Sequence, residues 1–321
     1  MSRYQFVLWP AQSLAVKVLL ARPRGFCAGV ERAIEVVLKA LSKFGSPVYV
    51  RHEIVHNRVV VEDLQGKGAV FVKSLEDVPT GGHVIFSAHG VAPEVVREAE
   101  RLDLLAIDAT CPLVTKVHTE AKNFAAMGYT ILLIGHRNHV EVIGVLGEAP
   151  NNSLVVFGEK EAASVQVPDP QRVAVLTQTT LSIDEAERTM EVLRGRFPNL
   201  VTPKKEDICY ATTNRQMAVK RLNDEVDLWL VIGDETSSNS NRLRELGASS
   251  GVPAHLIIGA SHIRPEWLAG VERVGVTSGA STPEISVRSV VARLEELGAS
   301  DVEEVDGVQE AVEFLLPAAV R

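Results

Sequence analysis

The 321-residue chain is 46% hydrophobic and 23% charged, with a formal net charge of −8. This is globular composition with length for two or three domains, and the acidic balance excludes bulk attraction to nucleic acid. No run of about 18 apolar residues occurs, so no transmembrane helix is expected.

Residues 1–15 read as an N-terminal extension. Its patch Phe6-Val7-Leu8-Trp9 is followed by Pro10 and has neither the long apolar region nor the cleavage site of a signal peptide. Short apolar runs then recur: Val18–Leu20, Val48–Val50, Val70–Val72, Val84–Phe86, Leu104–Ile107, Ile131–Ile134, Leu154–Phe157 and Val173–Leu176, then Leu228–Ile232, His255–Ile258 and Val274–Val276. They are continuous rather than alternating, as expected for parallel strands covered on both faces. Amphipathic stretches between them fit α/β crossovers.

Three cysteines punctuate this series at near-regular intervals. Cys27, Cys111 and Cys209 each follow an extended or turn-like stretch and precede a helix pattern, as Val30, Ala33, Ile34, Val37, Leu38 and Leu41 show after Cys27. The pattern predicts three similar α/β lobes of about four strands each, packed around a shared centre. The lobes are placed at residues 16–110, 111–208 and 209–300, with a C-terminal tail over 301–321.

An odd, small number of cysteines argues against a disulfide framework and for reduced thiols in the cytoplasm. Their local setting leaves two readings open. They are buried structural thiols, or thiolates at helix N-termini converging on one metal site. No close C-x₂-C pair supports zinc. Three soft ligands on separate lobes suit an iron–sulfur cluster with one iron open.

Polar residues gather at the predicted strand ends. His52 and His56, His89, and His136 and His139 all follow strands. Thr236–Asn241 follows Leu228–Ile232, and Ser278–Pro283 follows Val274–Val276. Hydroxyl and amide donors at a helix N-terminus suit an anion, although a plain Ser/Asn helix cap has the same composition. Both the P-loop and the G-x-G-x-x-G fingerprint are absent. Glu141, the one carboxylate of the loop Gly135–Gly144, is a candidate proton donor. Ser182 and Glu185 read as a capping box.

The motifs Pro23–Val30, Arg51–Asn57, Phe86–Gly90, Asp108–Val114, Thr177–Thr180, Asp207–Arg215, Ser237–Arg242 and Gly279–Ser281 stand in the order of one known family. From about Val18 to Leu297 the chain resembles the 4-hydroxy-3-methylbut-2-enyl diphosphate reductases. The resemblance implies a trefoil of α/β lobes around a central cavity, and a 4Fe–4S cluster on Cys27, Cys111 and Cys209. It implies an allylic diphosphate substrate whose hydroxyl is removed by two electrons and two protons, with ferredoxin or flavodoxin as donor. By matching position, His56, His89, His139, Ser237, Ser238, Asn239 and Ser281 hold the diphosphate. Glu141, beside His139, supplies a proton, and Thr179 orients the hydroxyl. Two positions depart from the family pattern: Val140 replaces a common proline, and Ile143 a usual carboxylate. The rival readings are a 4Fe–4S hydro-lyase and a non-catalytic iron–sulfur sensor.

Overall fold

The computed structural model describes residues 16–321, so the expected extension over 1–15 lies outside the described residues. In chain order the first elements are β1 (Val16–Leu20), α1 (Ala28–Phe44), β2 (Val48–Arg51), α2 (Arg58–Gly66), β3 (Ala69–Val72), β4 (His83–Phe86), α3 (Pro93–Arg101) and β5 (Leu105–Asp108). Next come α4 (Pro112–Ala126), β6 (Thr130–Ile134), α5 (Val140–Glu148), β7 (Ser153–Val156), α6 (Gly158–Ser164), β8 (Val173–Thr177) and α7 (Ile183–Arg196). The last are α8 (Tyr210–Leu222), β9 (Leu228–Ile232), α9 (Ser238–Ala248), β10 (Ala254–Ile257), β11 (Arg273–Ser278), α10 (Glu284–Glu296) and β12 (Ala299–Glu304).

The strands form three small sheets, ordered β3-β2-β4-β5, β7-β6-β8 and β10-β9-β11-β1-β12. Every strand pairing in them is parallel. Apolar clusters cover both faces of each sheet, which is why the strands read as unbroken apolar runs. The architecture is the expected α/β trefoil, with sheets of four, three and five strands rather than four each.

Two segments sit elsewhere than their position in the sequence suggested. β1 falls within the range expected for the first lobe, yet it pairs with β11 and β12 in the third. Its four apolar residues are all buried, and β11 and β12 pair with its backbone on either edge. The expected tail over 301–321 begins inside β12, a strand with no apolar run, since Ala299–Glu304 is polar and largely exposed. The chain then runs back to the first lobe, where Val320 is buried among Val30, Val36 and Val48.

The five-stranded sheet is locked by Trp229 on β9, which is fully buried. Its indole nitrogen donates to Asn223 Oδ1 at 2.7 Å. The ring lies over Gly275 of β11, where a Cβ would stand 2.7 Å from Cε3. Trp229→Ala is expected to destabilise the protein by about 3–5 kcal/mol. Urea unfolding measures this, and a loss below about 1 kcal/mol would show that the sheet closes without the indole.

Candidate active site

The carboxyl ends of the strands converge. β1 leads to Cys27, β2 to His56, β4 to His89, β5 to Cys111, β6 to His139 and Glu141, β8 to Thr179, β9 to Ser237–Asn239 and β11 to Ser281. Together with Cys209, these residues line one cavity of about 100 Å³. Every site residue singled out from the sequence is therefore on its wall. His52 and His136, which share the strand-end position, are absent from the lining. His136 instead packs on Phe157 and turns Nδ1 to Gln178 Oε1 at 3.2 Å.

Each cysteine is the N-cap of a helix: Cys27 of α1, Cys111 of α4 and Cys209 of α8. Each backbone N–H donates to a loop carbonyl that helps build the cavity. Cys27 donates to Ala280 at 3.2 Å, Cys111 to Ala88 at 3.0 Å and Cys209 to Thr179 at 3.1 Å. The cavity is tight against the sulfurs, for a Cβ at Gly29 would stand 2.6 Å from Cys111 Sγ. Burial pushes all three thiols up, Cys111 to about 12 and Cys209 to about 11. For Cys111 the neighbouring Cys27 and Cys209 add to this. Thr212 was not singled out from the sequence, yet its hydroxyl lies 3.2 Å from Cys209 Sγ and its N–H donates to that sulfur.

The three histidines touch one another. His56 stacks on His89 with ring centroids 4.2 Å apart, and His139 meets both edge-on. Each Nδ1 is held from behind. Glu53 Oε2 lies 2.9 Å from that of His56, and Ser87 Oγ lies 3.2 Å from that of His89. His139 Nδ1 accepts the Glu141 N–H at 3.2 Å. An accepting Nδ1 leaves the proton on Nε2, so His139 is a neutral donor. Burial, with His56 and His136 nearby, pushes its imidazolium down to about 3. Burial, with His56 and His139 beside it, drives that of His89 well below the ordinary range. Glu53 and Ser87 lay inside the quoted motifs, and their distances of three and two residues from a site histidine were the available signal.

Glu141 opens α5 and is buried. Its Oε1 accepts the Thr179 N–H at 2.6 Å, and its Oε2 accepts the Thr179 hydroxyl at 2.9 Å. Burial raises the carboxyl to about 7 against these two bonds, with Asp207 adding to the rise. Glu141 can therefore hold or release a proton near neutrality. Opposite it, Ser237 caps α9 by accepting from Ser240 N, so the residue is both cap and cavity wall. Ser238 donates to the Thr180 carbonyl at 3.1 Å, and Ser281 to that of His56 at 3.0 Å. The buried Asn239 has no partner for either amide atom. Such an orphan needs an explanation, and a bound polar group supplies one.

Among the described residues no helix is long and apolar enough to cross a membrane. Three parallel sheets whose strand ends deliver cysteines, histidines and an acid to one cavity define an α/β enzyme with a central polar site. The family model described as LytB protein matches residues 18–295. The 4-hydroxy-3-methylbut-2-enyl diphosphate reductase of Ralstonia nicotianae is 53% identical over 97% of this chain and 96% of its own length. That of Aromatoleum aromaticum is 55% identical, over 95% and 98%. The structure of the E-1-hydroxy-2-methyl-but-2-enyl-4-diphosphate reductase from Plasmodium falciparum superposes with a TM-score of 0.92. It is 38% identical, over 95% of this chain and 96% of that one. The chain belongs to the 4-hydroxy-3-methylbut-2-enyl diphosphate reductase (LytB) family of oxidoreductases.

The raised Glu141 carboxyl makes stability depend on pH. Its folded value of about 7 lies above the unfolded value of about 4.3. Its contribution is full below the unfolded value and is lost as pH rises through the folded one. Between pH 5 and 8 the wild type should lose roughly 2 kcal/mol relative to Glu141→Gln. Urea unfolding at both pH values checks this, and parallel pH dependence in the two proteins would refute it.

Proposed function

We propose that the chain converts 4-hydroxy-3-methylbut-2-enyl diphosphate to isopentenyl and dimethylallyl diphosphate, consuming two electrons and two protons. The observation that carries this reading is the single cavity, which joins three cysteines, a carboxyl poised near neutrality and an unpartnered amide. The cysteines fit a 4Fe–4S cluster. As bare thiols they are held neutral by burial, and only strong positive charge makes thiolates stable there. Among the described residues no three His, Cys, Asp or Glu side chains are arranged to hold a metal ion. Cys27, Cys111 and Cys209 would hold a cluster rather than a lone ion. When bound, the cluster supplies electrons and a Lewis-acid iron for the substrate hydroxyl.

The chain's own residues do the rest. Neutral His139 and His89, with His56, Ser237, Ser238, Asn239 and Ser281, bind the diphosphate from several loops, Ser238 and Ser281 by turning their hydroxyls away from the Thr180 and His56 carbonyls. Neutral donors avoid the cost of burying cations before the substrate arrives. Glu141 releases its proton to the departing hydroxyl, which leaves as water. Thr179 fixes the carboxyl through its N–H and its hydroxyl, and positions the substrate hydroxyl beside it. The small, odd set of cysteines fits a cytoplasmic enzyme, and ferredoxin or flavodoxin is the electron donor that the family resemblance implies.

The primary test is an anaerobic assay of protein with quantified iron and sulfide, given the allylic diphosphate and reduced methyl viologen. Substrate-dependent dye oxidation is expected. An intact cluster that consumes no electrons moves the reading to a hydro-lyase or a sensor. Cys111→Ser should lose cluster and turnover together, and full iron with full activity would reject the ligand assignment. Glu141→Gln should keep the cluster and bind substrate while kcat falls by roughly 10²–10⁴, and near-normal kcat would remove Glu141 from the acid role.

A further inference from the structure

A second polar cluster lies behind the cavity wall, where the first two lobes meet. His118 sits on α4, the helix that Cys111 begins, and is 7% exposed. Its Nδ1 lies 2.8 Å from Glu148 Oε1, on the last residue of α5, so Nδ1 carries the proton. Lys122 Nζ stands 3.1 Å from the other carboxylate oxygen. The opposite ring nitrogen, Nε2, is buried without any partner.

That bare nitrogen faces two glycines. Gly90 has a φ of +77° and follows His89 directly, and a Cβ there would stand 2.8 Å from Nε2. Gly144 lies three residues after Glu141 on α5, and a Cβ there would stand 3.2 Å from both Cε1 and Nε2. The two backbones nearly touch, for the Gly144 Cβ would also lie 3.6 Å from the Gly90 carbonyl carbon. Further along α5, a Cβ on Gly147 would collide with Ala92. The glycine face of α5 therefore rests on the Gly90–Ala92 backbone, with the imidazole wedged beside the contact.

An apolar side chain of this size would fill the space without leaving a nitrogen bare. The imidazole instead ties α4 to the end of α5 through Glu148 while its ring abuts the His89 turn. We propose that His118 is a positioning residue: its ring sets the separation between the His89 turn and the Glu141 helix, and refers both to the helix of Cys111. This deepens, and rests on, the function proposed above.

The test uses reconstituted protein of known iron and sulfide content and measures the affinity for inorganic diphosphate by calorimetry. Turnover and melting temperature are followed in parallel. His118→Ala should keep the cluster, bind diphosphate at least tenfold more weakly and turn over at least tenfold more slowly. Glu148→Gln, whose amide oxygen still accepts from Nδ1, should stay within twofold of wild type in both. A His118→Ala protein with a lower melting temperature but unchanged affinity and turnover overturns the proposal, since the ring would then be ordinary packing. A Glu148→Gln loss as large as that of His118→Ala also overturns it. Should His118→Ala not fold, Gly144→Ala tests the same contact by pressing a methyl on the ring: affinity should fall at least threefold, and no change overturns the proposal. Wild-type protein that binds no diphosphate overturns the proposed function and this inference with it.

Discussion

Three backbone hydrogen bonds organise the centre of the molecule. Each cysteine starts the helix of one lobe while its N–H is held by a loop of another. Cys111 heads α4 of the second lobe and is bound to Ala88 of the first. Cys209 heads α8 of the third and is bound to Thr179 of the second. Cys27 heads α1, which packs in the first lobe, and is bound to Ala280 of the third. The relation is cyclic. Ala88 and Ala280 directly precede His89 and Ser281, and Thr179 itself holds Glu141. The backbone of each cysteine is therefore tied to a segment that carries a polar cavity residue.

One physical effect, desolvation, prepares this centre throughout. It raises the three thiols, raises Glu141 to about 7 and lowers His139 to about 3. All of them move toward neutrality. The cavity thus carries little standing charge of its own. The neighbours then divide the work. Glu53 and Ser87 hold histidines from behind, and Thr179 holds the acid with two bonds.

Much of this was legible in the amino-acid order because a parallel sheet leaves a strong trace. Buried strands such as Val173–Thr177 are continuous apolar runs, and functional residues follow them directly. The cysteine caps were legible because α1 and α4 keep a regular apolar face after Cys27 and Cys111. What escaped was long-range or polar. β12 carries acidic residues on a half-exposed edge and has no apolar run to reveal it. The pairing of β1 with β11 joins opposite ends of the chain, and no local pattern encodes it. His52 and His136 matched the strand-end rule yet stand outside the lining, because the rule fixes where a residue begins and not where its side chain turns.

That placement of β1 bears on how the protein is made. Val16–Leu20 is synthesised before either of its neighbours, β11 and β12, which lie far along the chain. Until β11 and β12 are made, an apolar strand with two open edges has nothing native to pair with, the situation that exposes nascent chains to aggregation. The first two sheets contain no such distant partner and can close as they emerge. The third sheet waits for β11 and β12. Of the three cysteine bonds, the one from Cys27 to Ala280 is thereby the last whose two partners are both synthesised.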